Sequence, residues 1–354
     1  MTEKYEGNPF KKTILLSPLD VLDKAIRNSL KLSLPKIKAD RFRKEKIWIL
    51  NRIGYIRQTL TSNFRNYLQS IPDLNAIHEF YRTLINVYSS IDEFKKALGR
   101  IAGAIRVIEK FSDEYLRNIR GIKKNPYLPE KVFINHIHRL WKQYIARLDS
   151  FIREVNDAFV YVNSIVSRLK KLPDYDPDLK TIVVCGPPNS GKSSLVGKLS
   201  RAKVQIAEYP FTTKNLVFGH IEIKTNPRRV IQIVDTPGLF DRPISKRKKE
   251  ELLALEAIRT IADGIIFLFD CSFERTLEAP QQIQIYREVT KFLRTKNIIV
   301  GLNKIDIIDN EFYNKIHSFL INEAKIEPIP LSVKLGMGLD RILRAIQQLF
   351  GGGL

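Results

Sequence analysis

The 354-residue chain reads as an α + α/β protein, an N-terminal antiparallel helical bundle followed by an α/β domain with a mostly parallel six-stranded sheet. Three observations predict this. Up to about residue 171 the apolar residues recur at three- and four-residue steps, the period of amphipathic helices. From about residue 180 onward, β-branched runs alternate with helical patterns, as in a parallel sheet covered on both faces. Between them lies KKLPDYDPD (170–178), whose two prolines and acidic residues read as a hinge. The expected boundaries are 1–170 for the bundle, 171–179 for the linker, 180–350 for the second domain and 351–354 for a tail.

Ser17-Pro18 should open a short first helix, since proline suits a first helical position whose N–H lacks a partner anyway. Ile49, Ile53, Ile56, Leu60, Phe64 and Leu68 form one buried stripe; Leu98, Ile101, Ile105, Ile108 and Phe111 form another. Phe133, Ile137, Leu140, Tyr144, Leu148 and Phe151 form a third. Breaks at Ile71-Pro72-Asp73 and Asn125-Pro126 separate them, and a shorter helix around 75–87 is expected in the same bundle. The strand candidates are 181–185, 217–223, 230–235, 265–270, 298–303 and 329–332. Helices are expected near 191–201, 248–262, 279–295, 311–324 and 338–350. In such sheets ligands sit at the carboxyl ends of the strands.

Apolar residues make up 44% of the chain and charged residues 27%, a balance that favours packed cores over disorder. The length exceeds the roughly 250 residues that one core supports. The two cysteines, Cys185 and Cys271, lie in strand-like apolar runs, so no disulfide framework and a reducing compartment are expected. Residues 1–10 are polar and mixed in charge, and no 18 consecutive apolar residues occur; a soluble, cytoplasmic protein is expected. The net charge of +21 is uneven, with 32 Lys/Arg against 17 Asp/Glu in residues 1–170 and 27 against 21 in the remainder. Such an excess favours a polyanion, whether RNA, DNA or an anionic membrane surface, over a merely solvated basic face. The densest basic runs, 36–46 and 242–249, are the leading candidates for phosphate contacts. His136 and His138 are two apart and face different ways on a helix, which argues against a metal pair.

Gly186-Pro187-Pro188-Asn189-Ser190-Gly191-Lys192-Ser193 matches GxxxxGK[ST] between an expected strand and an expected helix, with Ser194 next in line. The glycines let backbone N–H groups converge on α- and β-phosphates, and the helix N-terminus adds partial positive charge. Lys192 should reach the β- and γ-phosphates, and Ser193 should ligate Mg²⁺. Twenty residues on, Thr213 or its neighbour Thr212 can complete the Mg²⁺ shell only while γ-phosphate holds their loop. Gly238 of Asp235-Thr-Pro-Gly238 offers its N–H to the same phosphate. Asp235 is the carboxylate that holds the metal from the second strand. Asn303-Lys304-Ile305-Asp306 selects guanine, because one carboxylate at Asp306 accepts from both N1–H and the exocyclic amine, a donor pair adenine lacks. Asn303 should brace the loop and the Lys304 stem lie over the base, while Ser332-Val333-Lys334 is a weaker match to the loop closing over guanine. The ligands expected are therefore GTP or GDP with Mg²⁺.

Ras-like enzymes orient the attacking water with a glutamine directly after Asp-x-x-Gly. Here Leu239 stands there and can neither donate nor accept, so slow intrinsic hydrolysis is expected. Asn189 is the residue type that related GTPases use to hold K⁺ beside the phosphates, where it replaces the charge of an arginine finger. The alternative is that Asn189 only satisfies its own turn.

The segments GPPNSGKSSL, YPFTTK, FGHIE, VDTPGLFDRP and NKID resemble the Obg-related branch of translation-factor-class GTPases. Together with IHEFYRTLINV (77–87), FKKALGRI (94–101), LPDYDPDLKTIVVCG and the Asp-Arg-Pro at 241–243, nearly the whole chain resembles the nucleolar GTP-binding protein 1 family in a short archaeal-type form. That resemblance implies a Ras-like GTPase domain and a role in assembling the large ribosomal subunit. The partners it implies are the precursor of that subunit and its ribosomal RNA, bound through the helical domain and the GTPase face. Ribosomal proteins or assembly factors are further partners it allows. Two other readings compete: a structural placeholder docked on RNA whose GTP turns over very slowly, and a membrane-associated GTPase. The second fits poorly, because the apolar stripes are consumed by bundling.

Overall fold

The computed structural model describes residues 7–172, 174–200, 205–207, 209, 216–223 and 229–351. Five helices precede the sheet: α1 (Pro18–Leu30), α2 (Arg41–Ser70), α3 (Glu79–Tyr88), α4 (Ile91–Gly121) and α5 (Glu130–Lys170). The chain divides into two compact units, and the division departs from the expected boundaries. One unit is 10–75 with 89–170; the other joins 1–9 and 76–88 to 171–354.

In the first unit α1, α2, α4 and α5 form the bundle. Three of their starts are capped by short polar side chains that accept otherwise unpaired N–H groups: Ser17 from Asp20 (3.2 Å), Asp40 from Arg43 (2.8 Å) and Ser90 from Asp92 (3.2 Å). Each predicted stripe is buried along its centre, with Ile53, Phe64, Ile101, Ile108, Ile137 and Leu148 fully enclosed. The stripe edges Leu68, Phe111, Phe133 and Phe151 are half-buried. Phe64 and Phe159 pack at 4.8 Å between ring centroids, and the Ser112 and Tyr144 hydroxyls meet at 3.0 Å inside the bundle.

The second unit carries a seven-stranded sheet in the order β2-β3-β4-β1-β5-β6-β7. Its strands are β1 (Thr181–Cys185), β2 (Gln205–Ala207), β3 (Leu216–Ile223), β4 (Arg229–Asp235), β5 (Gly264–Asp270), β6 (Ile298–Asn303) and β7 (Ile329–Pro330). Pairing is parallel from β4 through β1, β5 and β6 to β7, and antiparallel at β2-β3 and β3-β4. Six strands match the expected ones; β2 is an additional three-residue edge strand. β7 is shorter than expected because Ser332 leaves the ladder and bridges to Met337. The helices are α6 (Lys192–Leu199), α7 (Lys249–Arg259), α8 (Ala279–Leu293), α9 (Asn310–Phe319) and α10 (Leu339–Gly351). Leu195 and Val196 of α6 with Ile342 and Ile346 of α10 cover one core, while Phe267, Phe269 and Tyr286 pack as a ring cluster in another.

Helix α3 was expected in the bundle but packs on α7, burying Phe80, Tyr81, Leu84 and Ile85. The segment 171–179 is likewise no free hinge. Leu172 and Tyr175 are buried, the Tyr175 ring lies 5.0 Å from His78 and 5.4 Å from Phe80, and Gln232 exchanges two hydrogen bonds with the Asp176 backbone (3.1 and 2.7 Å). Among the described residues no helix is long and apolar enough to cross a membrane.

Candidate functional site

The sheet register brings the candidate residues to one edge. Val184 lies opposite Asp235, and Asp270 opposite Asn303, so β1, β4, β5 and β6 all end there. The loop 186–191 leaves β1 and enters α6. Its geometry demands two glycines: Gly186 has φ +144° and a Cβ there would stand 2.3 Å from the Leu268 carbonyl oxygen. Gly191 has φ +95° and a Cβ would stand 2.4 Å from Asn303 Nδ2. Pro187 and Ser190 are buried, Pro188 is half-buried and Asn189 is exposed. Asn189 is itself left-handed, at φ 59°. The Ser190 hydroxyl is buried with no hydrogen-bond partner among the described residues.

The Lys192 ammonium lies within the loop, donating to the Gly186 and Pro187 carbonyls at 3.0 and 2.7 Å. Ser193 and Ser194 are exposed on the first turn of α6. A cleft of about 300 Å³ is lined by Pro188, Asn189, Gly191, Lys192, Ser193 and Ser194 on one side, and by Pro237, Gly238 and Asp241 on the other. Asp235 is buried at the carboxyl end of β4, and the neighbouring Thr236 hydroxyl donates to the Val184 carbonyl at 2.9 Å. Backbone N–H donors at a helix start suit a phosphate, and the exposed Ser193 hydroxyl with the Asp235 carboxylate are hard oxygen groups that suit a divalent cation such as Mg²⁺. Thr212 and Thr213 lie outside the described residues.

The second part of the site is held to the first by Asn303. This buried amide donates to the Ser190 carbonyl at 2.7 Å and accepts from the Val333 N–H at 3.0 Å, joining loops from three places in the chain. Lys304 is left-handed at φ 66°, and its ammonium pairs with Asp270 at 2.7 Å. Asp306 is exposed on a one-turn 3₁₀ helix. Ser332 is buried and accepts from the Leu335 N–H at 3.2 Å; Val333 is buried, and Lys334 is exposed with its carbonyl taken by Lys198 at 3.1 Å.

Several contributors escaped sequence reasoning. Asp270 and Gln282, which grips the Asp270 backbone on both sides (3.0 and 3.2 Å), anchor Lys304; nothing in their spacing marks them. Arg247, whose side chain is buried, binds the Leu239 carbonyl (2.7 Å), Asp241 (2.8 Å) and Glu251 (3.4 Å), so it fastens the segment after Gly238 onto α7. Tyr209 is buried, and its hydroxyl donates to the Ala254 carbonyl of α7 at 2.8 Å; burial pushes its phenol well above the usual range. Arg242 also pairs with Glu251, at 2.9 Å. Two of the five cations in the run 242–249, Arg242 and Arg247, are therefore ion-paired within the fold. Both thiols are buried, and burial pushes Cys271 up to about 12.

Residues 181–304 match the family model described as 50S ribosome-binding GTPase, and residues 11–176 match that of the NOG1 N-terminal helical domain. The chain is 32% identical to an uncharacterized protein of Methanocaldococcus jannaschii, covering 86% of this chain and 83% of that one. It is 27% identical to nucleolar GTP-binding protein 1 of Caenorhabditis elegans (79% of this chain, 39% of that one) and 25% identical to that of Saccharomyces cerevisiae (87% and 45%). It thus spans less than half the length of these two named relatives. With both domain models matched in order around one phosphate-loop site, the chain belongs to the nucleolar GTP-binding protein 1 family.

Proposed function

We propose that the chain is a guanine-nucleotide switch in the assembly of the large ribosomal subunit. In this reading it acts in the cytoplasm and binds precursor ribosomal RNA through the basic helical domain and the switch face. The observation that carries the nucleotide half is the Asn303 bridge, which fixes the distance between a phosphate loop and a base-reading loop. In this reading the 186–191 backbone, Lys192, Ser193 and Ser194 hold the phosphates, and Asp306 reads guanine. Lys304, steadied by Asp270, and the Ser332–Val333–Lys334 loop enclose the base.

Ser193, Thr213 and Asp235 would hold Mg²⁺, which when bound neutralises charge on the β- and γ-oxygens. Hydrolysis forms a bond from a water oxygen to the γ-phosphorus and breaks its bond to the β-phosphate bridging oxygen, releasing GDP and phosphate. Lys192 and the Gly238 N–H stabilise the charge that develops. Leu239 is buried beside them and positions no water, so the intrinsic rate is slow. In this reading Asn189, exposed on the phosphate loop and lining its cleft, holds K⁺ as the charge that stands in for an arginine finger. Buried Leu239 also favours a second reading, an RNA-docked placeholder whose GTP is nearly static.

Single-turnover GTP hydrolysis in potassium and in sodium buffer, with and without large ribosomal subunits, separates the two. Acceleration by subunits supports the switch, and a potassium requirement abolished by Asn189→Ala supports the ion. A near-zero rate under every condition leaves the placeholder.

A further inference from the structure

The end of the bundle where α2 starts, α4 ends and α5 starts is built around an exposed aromatic. Tyr127 is 92% exposed, the most open of the large hydrophobic side chains among the described residues. Its loop, Ile122-Lys123-Lys124-Asn125-Pro126-Tyr127-Leu128-Pro129, is not slack. Two prolines restrict it, the Asn125 side chain accepts the Tyr127 N–H at 2.9 Å, and the Leu128 N–H reaches the Asn125 carbonyl at 3.2 Å. Presenting the ring therefore costs little further ordering.

The surroundings are cationic. Residues 36–46 and 120–142, which meet at this end, hold twelve Lys/Arg against three carboxylates. The carboxylates are already committed: Asp40 caps α2, Glu130 accepts the Phe42 N–H at 2.7 Å, and Glu45 faces His138 at 3.3 Å. Lys46 is spent on the Arg120 and Ile122 carbonyls, and Lys124 lies near both Asp40 and Glu130. Arg41, Arg43, Lys123, Lys131 and Arg139 remain at the surface. Two hollows open here. One of about 510 Å³ includes Lys123, Asn135, His136 and Arg139, and one of about 440 Å³ includes Arg43, Lys46 and Lys124.

We propose that this end of the bundle docks an unpaired segment of RNA, with Tyr127 stacking on a splayed base and the surface cations on the flanking phosphates. The proposal rests on the RNA-binding reading above and narrows it to one surface. A duplex keeps its bases stacked and its deep groove closed to a phenol, whereas a single strand exposes π-faces to an aromatic. A membrane would need a continuous apolar face. Here Asn135 and His136 interrupt Leu128 and Val132 with donors and acceptors suited to base edges.

The test is binding of a fluorescein-labelled unstructured RNA, and of a duplex of the same sequence, to the full chain across a salt series. Tyr127→Ala should weaken binding to the single strand about tenfold without changing the salt slope, and Tyr127→Trp should restore it. Lys123→Ala with Arg139→Ala should flatten the slope by roughly 0.7 for each phosphate that is no longer neutralised. Circular dichroism should keep its helical signal throughout, since these side chains lie at the surface. If wild type binds RNA but Tyr127→Ala binds within twofold of it, the surface is wrong and the RNA reading stands. If wild type binds neither RNA but binds vesicles containing phosphatidylserine, both fall.

Discussion

Asp306 and His78 show two ways in which one side chain sets a property of the whole. In the proposed reading the guanine preference rests on the Asp306 carboxylate, which would lose two hydrogen bonds when adenine replaces guanine, and a hydrogen bond to a charged group is worth about 1.5–3 kcal/mol. Asp306→Asn should therefore weaken GTP binding at least a hundredfold and narrow the gap to ATP, measured with fluorescent nucleotide analogues; an unchanged ratio of the two affinities would remove Asp306 from base reading. His78 acts through protons. Burial holds its imidazole below the ordinary range, with Glu79 pulling the other way, and its Nδ1 accepts the Phe80 N–H at 3.2 Å, which a protonated Nδ1 does not do. The unfolded chain takes up this proton near pH 6.5, before the fold does. The unfolded state thus binds more protons as pH falls, so the His78 contribution is present above about pH 6.5 and is lost as pH drops through the folded value. Between about pH 7 and pH 5 the melting temperature of the wild type should fall more steeply than that of His78→Asn, which keeps an acceptor before α3. Parallel curves would show that another group carries the acid sensitivity.

At the scale of elements, legibility followed how local the signal was. β1 and β6 lie where continuous β-branched runs put them, because a strand buried on both faces writes its whole length in apolar residues. β2 is only three residues long and carries no such run, so pairing with β3 alone defines it. The phosphate loop was legible because its glycines are demanded by backbone geometry, whereas Asp270 and Lys304 are joined across 34 positions by tertiary structure. The misplaced element is α3. Its periodicity declares a buried face but says nothing about what covers it, and neighbours in the chain suggested the bundle. Its cover is α7, the helix onto which Arg247 fastens the segment after Gly238 and to which Tyr209 bonds. Leu84 is fully buried in α3. Leu84→Ala should cost about 2–5 kcal/mol, since a large-to-small change in a core adds a cavity to the lost burial. The loss should fall on the urea transition that GTP with Mg²⁺ raises; a loss confined to the other transition would return α3 to the bundle.

That expectation requires the whole molecule to unfold in two steps. The chain passes between its two units four times, near residues 9, 75, 88 and 170, yet each unit has a core of its own, one centred on Phe64, Ile108 and Phe159, the other on the faces of the sheet. Separate cores permit separate cooperative transitions, and a chain of two such units need not be two-state. A ligand stabilises only the unit whose folded form it binds, by about 2.7 kcal/mol at a free concentration a hundred times its dissociation constant. GTP with Mg²⁺ should therefore raise one transition by that amount and leave the other in place, read by calorimetry together with far-ultraviolet circular dichroism, which is dominated by the helical unit. Both transitions rising together would mean that the four crossings couple the units energetically. Nucleotide binding would then reach the basic helices without any further partner.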